Sequence, residues 1–452
     1  MIPRILSLCA CLLASLAAPA VAQEKRPNIV FILMDDMGYA DIGCMGSKEV
    51  RTPNIDRIAN EGVKLSNFYA NAPVCTPTRA AFITGRYQQR VGLEWALGYT
   101  AEQYRRVDGK WTPLPDMYLP GLPANQATLA RWLKLAGYRT GVFGKWHLGF
   151  RPEFNPLRHG FDEYFGVLTG HADYYTHKYF DGTHVLRQNE KDVPAKGYLT
   201  DLITEKAVSF VERNKDHPFF LYVPHLAVHF PFQVPDKPGQ VLTKENATEG
   251  TRDAYVRMLE RVDQGVGRIL ETLEKHKLLD NTLVAFSSDN GGYKLSDNQP
   301  LFHYKATLWE GGVRVPCLMR WPGKLPAGKT MSPMGITMDL TATFLVAAGA
   351  LPADGKLDGI DLLPVLSGKA QPQERAFFWR IQRSDRQQKA VRQGKWKYLK
   401  DASTEFLFDL DADISERRNL AYQQPELITR LRQLHAAWEA DVDRNSVEIV
   451  VK

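Results

Sequence analysis

Pro27-Asn28-Ile29-Val30-Phe31-Ile32-Leu33-Met34-Asp35-Asp36-Met37-Gly38 decides the fold. Its apolar part, Ile29 to Met34, is continuous rather than alternating. Such a run predicts a strand covered on both faces, as in parallel sheets flanked by helices. Asp35-Asp36 end the run, and Gly38 is expected to let the strand break there. Further along, the same texture returns in Arg139 to Phe143, Pro218 to Val223 and Asn281 to Ser287. Helical patterns lie between these runs: Asn54 to Glu61 behind Pro53, Asn125 to Leu135, Asp201 to Asn214 and Arg252 to His276. Helices alternating with buried strands predict an α/β fold with a mostly parallel central sheet flanked by helices. In such sheets, sites gather at the carboxyl ends of the strands.

Past about Pro364 the texture changes. Ala376 to Arg380, Lys395 to Leu399 and Phe406 to Leu410 read as short strands, and Pro425 to Asp441 as a closing helix. The expected organisation is therefore a large domain over 23–365 and a small C-terminal α+β subdomain with an antiparallel sheet over 366–452. Polar residues around Leu366 to Pro372 link them. Glu94 to Pro123 is an aromatic-rich, irregular insertion, read equally as a lid over a site and as a decorative loop.

Met1-Ile2-Pro3-Arg4, an apolar run from Ile5 to Ala18 and the small residues before Gln23 form a secretory signal, residues 1–22, with cleavage after Ala22. The apolar run is too short to span a bilayer. The expected location is periplasmic or secreted, with no membrane partner. Cys9 and Cys11 leave with the signal. Cys44, Cys75 and Cys317 remain, and an odd, small count is no disulfide scaffold. Whether Cys44 and Cys317 pair is open at this stage. The chain is 44% hydrophobic, enough for a large core, and its net charge of +6 is compatible with an anionic substrate. It has no lysine-arginine block and no aromatic-basic interleaving, so no nucleic-acid partner is expected.

The chemistry-bearing stretches follow strands. Asp35 and Asp36 sit at one strand end, and Asp289-Asn290-Gly291-Gly292 at another. Three carboxylates and an amide oxygen make an all-oxygen cage suited to Ca²⁺, or to Mg²⁺ with waters. Cys75-Thr76-Pro77-Thr78-Arg79 opens a helical run, where Pro77 suits the first turn. Arg79, four residues on, shares a helix face with residue 75 beside an anion-favouring helix N-terminus. Lys145 and His147, two apart after a short strand, are expected to project together. His225 and His229 follow the strand Phe219 to Val223, and Lys305 lies in Tyr304 to Arg314.

The Cys75-x-Pro77-x-Arg79 run, with these motifs in this order, resembles formylglycine-dependent type I sulfatases of the alkaline phosphatase superfamily. The resemblance is to the arylsulfatase B and N-acetylgalactosamine-6-sulfatase type, through Gly160 to Tyr175, His229 to Pro235 and Trp309 to Arg314. One departure is Thr78, where serine is common.

The resemblance implies an alkaline-phosphatase-like large domain and an exported sulfuric ester hydrolase acting on a sulfated small molecule or saccharide. It implies that a formylglycine-generating enzyme converts Cys75 to formylglycine (3-oxoalanine), whose hydrate is the nucleophile. Asp35, Asp36, Asp289, Asn290 and the converted residue 75 would bind the cation. Arg79 would lower the pKa of the nucleophile, and Lys145 and Lys305 would hold sulfate. His229 would protonate the leaving alcohol, and His147 would take the proton that releases sulfate. His225 is either a second sulfate-side histidine or a packing residue. Glu310 and Arg314 read as a structural pair. His171, Asp173, Tyr174, Tyr175 and His177 offer aromatic faces and polar groups suited to a sugar, with ordinary loop packing as the alternative. Two other functions stay open: a phosphonate or phosphate monoester hydrolase on the same fold, and an inactive glycan-binding homologue.

Overall fold

The computed structural model describes residues 25–98, 104–107, 110–113, 121–239, 243, 245–353, 356–383 and 385–444. The expected signal segment lies outside them. So does much of the Glu94 to Pro123 insertion, of which the backbone hairpin Tyr104–Val107 with Lys110–Pro113 is described.

The strand Asn28–Met34 forms the middle of the main sheet. It pairs in parallel with Phe219–Pro224 on one side and Thr282–Ser288 on the other. Arg139–Lys145 and Glu163–Val167 extend the parallel block. Antiparallel strands continue it at both ends: Cys317–Arg320 beyond Thr282–Ser288, and Leu186–Gln188 beyond Glu163–Val167. Alternation along the first strand explains its unbroken apolarity. Val30, Ile32 and Met34 pack under Leu199–Asn214 and Arg252–Lys275, while Ile29, Phe31 and Leu33 pack under Cys75–Thr84, Leu129–Leu135 and Thr337–Ala347. Both faces are dry, as a parallel central strand requires.

Two elements differ from their sequence patterns. The helix expected from Asn125 begins at Leu129, because the Thr128 hydroxyl accepts the Arg131 N–H and caps it there. The C-terminal sheet has four antiparallel strands, Ala376–Gln382, Gln387–Gln393, Trp396–Asp401 and Thr404–Asp409. The second, Gln-Gln-Lys-Ala-Val-Arg-Gln, carries too little apolar alternation to read as a strand. The helix Pro425–Arg444 closes this sheet. Phe377, Trp379, Leu399 and Phe408 of the sheet share one core with Tyr69, Ala81, Leu308 and Trp309 of the preceding chain. Cys44, Cys75 and Cys317 are free thiols. Among the described residues, no helix is long and apolar enough to cross a membrane.

Candidate active site

The parallel register pairs Met34 with Ser288, so the two acidic strand ends emerge side by side. The strand breaks at Asp36, whose φ of 62° is left-handed, rather than at Gly38. Gly38 is needed for close approach instead: a Cβ there would lie 2.3 Å from the Asp297 carbonyl oxygen. Buried Asp41 fixes this turn by accepting the Gly38 N–H at 2.9 Å and pairing with Arg252 at 2.8 Å. Nothing in the sequence distinguishes Asp41 from an ordinary turn aspartate.

Cys75 is the first residue of the helix Cys75–Thr84 and is buried. Thr78 serves as the motif's hydroxyl residue: its Oγ1 accepts the Ala72 N–H and donates to the Ala72 carbonyl, both at 3.0 Å. Arg79 reaches past residue 75. Its Nε and Nη2 donate to Asp289 Oδ2 at 2.9 and 2.8 Å, and its Nη1 donates to the Lys145 carbonyl at 2.7 Å. The hydrogen bonds of Arg79 thus go to Asp289 and the Lys145 carbonyl rather than to residue 75.

Lys145 ends its strand and pairs with Asp35 Oδ2. His147 lies beyond the strand and reaches its place through a φ of 56°, so the shared strand face expected of the two residues does not form. Its Nε2 faces the Leu97 carbonyl at 2.8 Å, while Nδ1 is buried without a partner. That leaves the Nδ1 lone pair as the basic atom. Lys305 Nζ lies 2.7 Å from Asp36 Oδ1 and 3.7 Å from Cys75 Sγ. His229 Nδ1 faces the Phe230 carbonyl at 2.9 Å, and Nε2 lies 3.7 Å from Asp36 Oδ2. Ligand atoms of Asp35, Asp36, Cys75 and His229 all fall within 4.8 Å of one another. Asp289 joins through Arg79, and Asn290 Nδ2 donates to Asp36 Oδ1 at 2.8 Å.

Burial dominates the electrostatics. It pushes the Cys75 thiol up to about 12, against the pull of the Lys145 and Lys305 cations. An unconverted Cys75 is thus a protonated, inert thiol. Burial and then the Lys305 and Lys145 charges hold His229 well below the ordinary imidazole range, and burial and Lys145 do the same for His147.

The segment after Gly166 is largely engaged with the protein itself. Asp173 Oδ1 accepts the N–H groups of Tyr175 and Thr176, and Oδ2 accepts Gln233 Nε2 at 2.8 Å. Tyr174 donates to the His229 carbonyl at 3.0 Å and Tyr175 to that of Val234 at 2.7 Å, while His177 faces the Gly197 carbonyl at 3.1 Å. These four groups thus make the loop contacts that were the alternative to a sugar-binding role. The His171 ring lies parallel to that of His229, 6.1 Å away, and its Nε2, like Nδ1 of His177, is buried without a partner. His225 is fully buried with neither ring nitrogen bonded, and burial lowers it to about 4.

A mostly parallel α/β sheet carries this polar cluster at its carboxyl edge, and family membership makes the chain a sulfuric ester hydrolase. The chain belongs to the sulfatase family, whose model matches residues 27–350, and a model of the N-sulphoglucosamine sulphohydrolase C-terminal region matches residues 300–442. The chain is 37% identical to N-acetylgalactosamine-6-sulfatase of Homo sapiens over 77% of this chain and 67% of that protein. It is 33% identical to steryl-sulfatase of Mus musculus over 81% of this chain and 69% of that one. The crystal structure of Ps i-CgsB superposes with a TM-score of 0.83 at 34% identity, covering 93% of this chain and 94% of that one. Ps i-CgsB has also been solved in complex with k-i-k-neocarrahexaose, and that structure superposes with a TM-score of 0.82.

Proposed function

We propose that this sulfatase hydrolyses a sulfate ester on a carbohydrate, with residue 75 as nucleophile after conversion to formylglycine. The observation that carries the reading is the convergence of Asp35, Asp36, Cys75 and His229 within 4.8 Å, with Lys145 and Lys305 paired to the two aspartates. Similarity to N-acetylgalactosamine-6-sulfatase, and to a protein solved with a neocarrahexaose, supports a saccharide.

The donor set fits a hard divalent cation. Asp35 Oδ1 and Asn290 Oδ1 are buried oxygens without a hydrogen-bond partner, which is costly unless a cation engages them. Asp35, Asp36, Asp289 and Asn290 would hold Ca²⁺, with Mg²⁺ plus waters as the smaller alternative, beside residue 75. The ion would supply Lewis-acid charge, and the aldehyde hydrate derived from Cys75 would supply the attacking oxygen.

The chain's own residues do the rest. Lys145 and Lys305 hold the anionic sulfate group and stabilise charge on its oxygens during transfer. His229 Nε2, whose other nitrogen faces the Phe230 carbonyl, gives a proton to the leaving alcohol oxygen. Its resting ring is neutral; the negative charge of the bound sulfate group favours the imidazolium, so Nε2 takes up a proton from solvent as substrate binds and then passes it to the leaving oxygen. His147 Nδ1 takes the proton that accompanies sulfate release. Arg79 holds Asp289 and keeps positive charge beneath residue 75. His171 forms the part of the substrate rim next to His229, while Asp173, Tyr174, Tyr175 and His177 shape the loop that carries it. Residues 1–22 direct export and are removed, and a formylglycine-generating enzyme acts before the chain closes over buried Cys75.

Mass spectrometry of the Cys75 peptide tests the reading. A form lighter by about 18 Da is expected, the loss that accompanies conversion of a thiol to an aldehyde. Turnover of a sulfated saccharide must accompany it, with p-nitrophenyl phosphate much slower. An unconverted Cys75 in active protein, or a preference for the phosphate ester, would overturn the proposal.

A further inference from the structure

The loop Tyr304 to Arg314 carries Lys305, and its polar backbone is gripped from the C-terminal sheet and the loops that flank it. Arg386 Nη1 donates to the Ala306 carbonyl at 2.6 Å. Gln388 Oε1 accepts the Leu308 N–H at 2.8 Å, and Glu416 Oε2 accepts the Glu310 N–H at 2.7 Å. Three grips thus fall on alternate residues of the loop. The Glu310 side chain is held too: Lys397 Nζ lies 2.9 Å from its Oε1 and 2.8 Å from Glu416 Oε1. Tyr69 and Arg314 take Glu310 Oε2 at 2.7 and 3.1 Å. Glu310 and Lys397 are fully buried.

Buried ions are poor devices for stability alone, since desolvation offsets their attraction, but they hold a fixed geometry. The loop they hold is rigidly coupled to the site. The Lys305 N–H donates to the Gly292 carbonyl at 3.0 Å and the Ala306 N–H to the Pro73 carbonyl at 2.8 Å. The Gly291 N–H donates to the Gly312 carbonyl at 3.0 Å, and a Cβ on Gly291 would lie 1.9 Å from the Gly311 carbonyl oxygen. Backbone thus sits directly on backbone between this loop and the Asp289-Asn290 turn. A shift at Glu310 has no soft side chain to absorb it before it reaches Lys305.

We infer that Gln388, Lys397 and Glu416 are positioning residues, which act through Glu310 and its loop to hold the Lys305 ammonium where it meets the sulfate group. The C-terminal subdomain is on this view part of the sulfate site, although it places no side chain there. The inference rests on the proposed role of Lys305.

The test is a double-mutant cycle on the full-length, formylglycine-bearing enzyme. The readouts are kcat/KM on an aryl sulfate and the inhibition constant of inorganic sulfate, per converted molecule and well below each variant's Tm. Lys397→Met and Gln388→Leu are each expected to weaken sulfate inhibition and lower kcat/KM by about ten-fold, and to cost almost nothing further in a Lys305→Ala background. Gln388→Leu removes one neutral contact set and decides the matter if Lys397→Met fails to fold. Phe378→Leu, at the stacked Phe378–Trp438 pair in the same subdomain, is the control: it should lower Tm and leave sulfate inhibition alone. Losses that add fully to that of Lys305→Ala, or a lowered Tm with unchanged sulfate inhibition, would overturn the inference. If Lys305→Ala weakens sulfate inhibition and neither positioning variant does, only the clamp falls. If Lys305→Ala itself has no effect, the reading of Lys305 falls and takes the clamp with it.

Discussion

Asp173 lies near the site with its carboxylate bonded to groups of the protein, an arrangement suited to positioning. Its carboxylate closes the turn at Tyr175 and Thr176 and anchors Gln233, whose Oε1 in turn accepts the Tyr174 N–H at 2.7 Å. Tyr174 then holds the His229 carbonyl. Asp173→Ala is expected to lower kcat/KM by about 1–3 kcal/mol on an aryl sulfate and a sulfated saccharide alike, through misplaced His229. A loss confined to the saccharide would return Asp173 to a sugar-binding role. Asp289→Ala separates charge from scaffold differently. It removes an oxygen of the proposed cation site and leaves Arg79, buried and charged, without its main partner. Divalent-ion affinity measured by calorimetry should fall at least about ten-fold and turnover should vanish, with far-UV circular dichroism unchanged. Asp35, Asp36, Cys75, Lys145 and Lys305, which the structure brings together, could be picked out because Asp35, Asp36 and Lys145 stand at strand ends and Cys75 and Lys305 lie in stretches that resemble the sulfatase motifs. Asp41, Gln233 and Gln388 could not be, because a buried polar residue that serves another residue has no spacing of its own.

At the scale of elements, the central strands were legible for the reason that makes them central. Burial on both faces forces an unbroken apolar run, as in Phe219–Pro224 and Thr282–Ser288. Gln387–Gln393 was illegible because its buried positions include Gln388 and Arg392, one of which serves the Lys305 loop. A cap can also come from far away, where no local pattern shows it. The helix Pro53–Asn60 has no side-chain cap of its own; Asp263, on the long helix Arg252–Lys275, accepts the N–H groups of Asn54 at 3.0 Å and Ile55 at 2.8 Å. Asp263→Ala leaves two N–H groups at a buried helix start unpaired, and is expected to cost about 1–3 kcal/mol in urea unfolding. Asp263→Asn keeps an acceptor oxygen and should recover a good part of that loss. Equal stabilities for wild type and Asp263→Ala would show that water caps the helix adequately.

At the scale of the whole molecule, the change of texture near residue 365 marks a change of architecture more than a line of separation. The C-terminal sheet turns Phe377, Trp379, Ile381, Leu399 and Phe408 toward Tyr69, Ala81, Leu308, Trp309 and Met338 in a single core. Trp379 Nε1 donates to the Ala70 carbonyl at 2.9 Å, and Arg380 joins Glu94, at the base of the insertion, to Asp443 of the closing helix. An ordinary boundary between independent domains is polar and lightly packed, whereas this one is apolar and threaded with buried ion pairs. Removing residues 366–452 would uncover Leu308, Trp309 and Ile336 and leave Glu310 and Arg314 without Lys397, an exposed patch that favours aggregation. A chain ending at residue 365 is therefore expected to be insoluble or to bind hydrophobic dyes as a loosely packed state. The full chain should unfold in urea as one transition, with tryptophan fluorescence and far-UV circular dichroism coincident. Two separated transitions, or a soluble and cooperatively folded 23–365 fragment, would show instead that the large domain completes its core alone and that the shared cluster is a later addition to it.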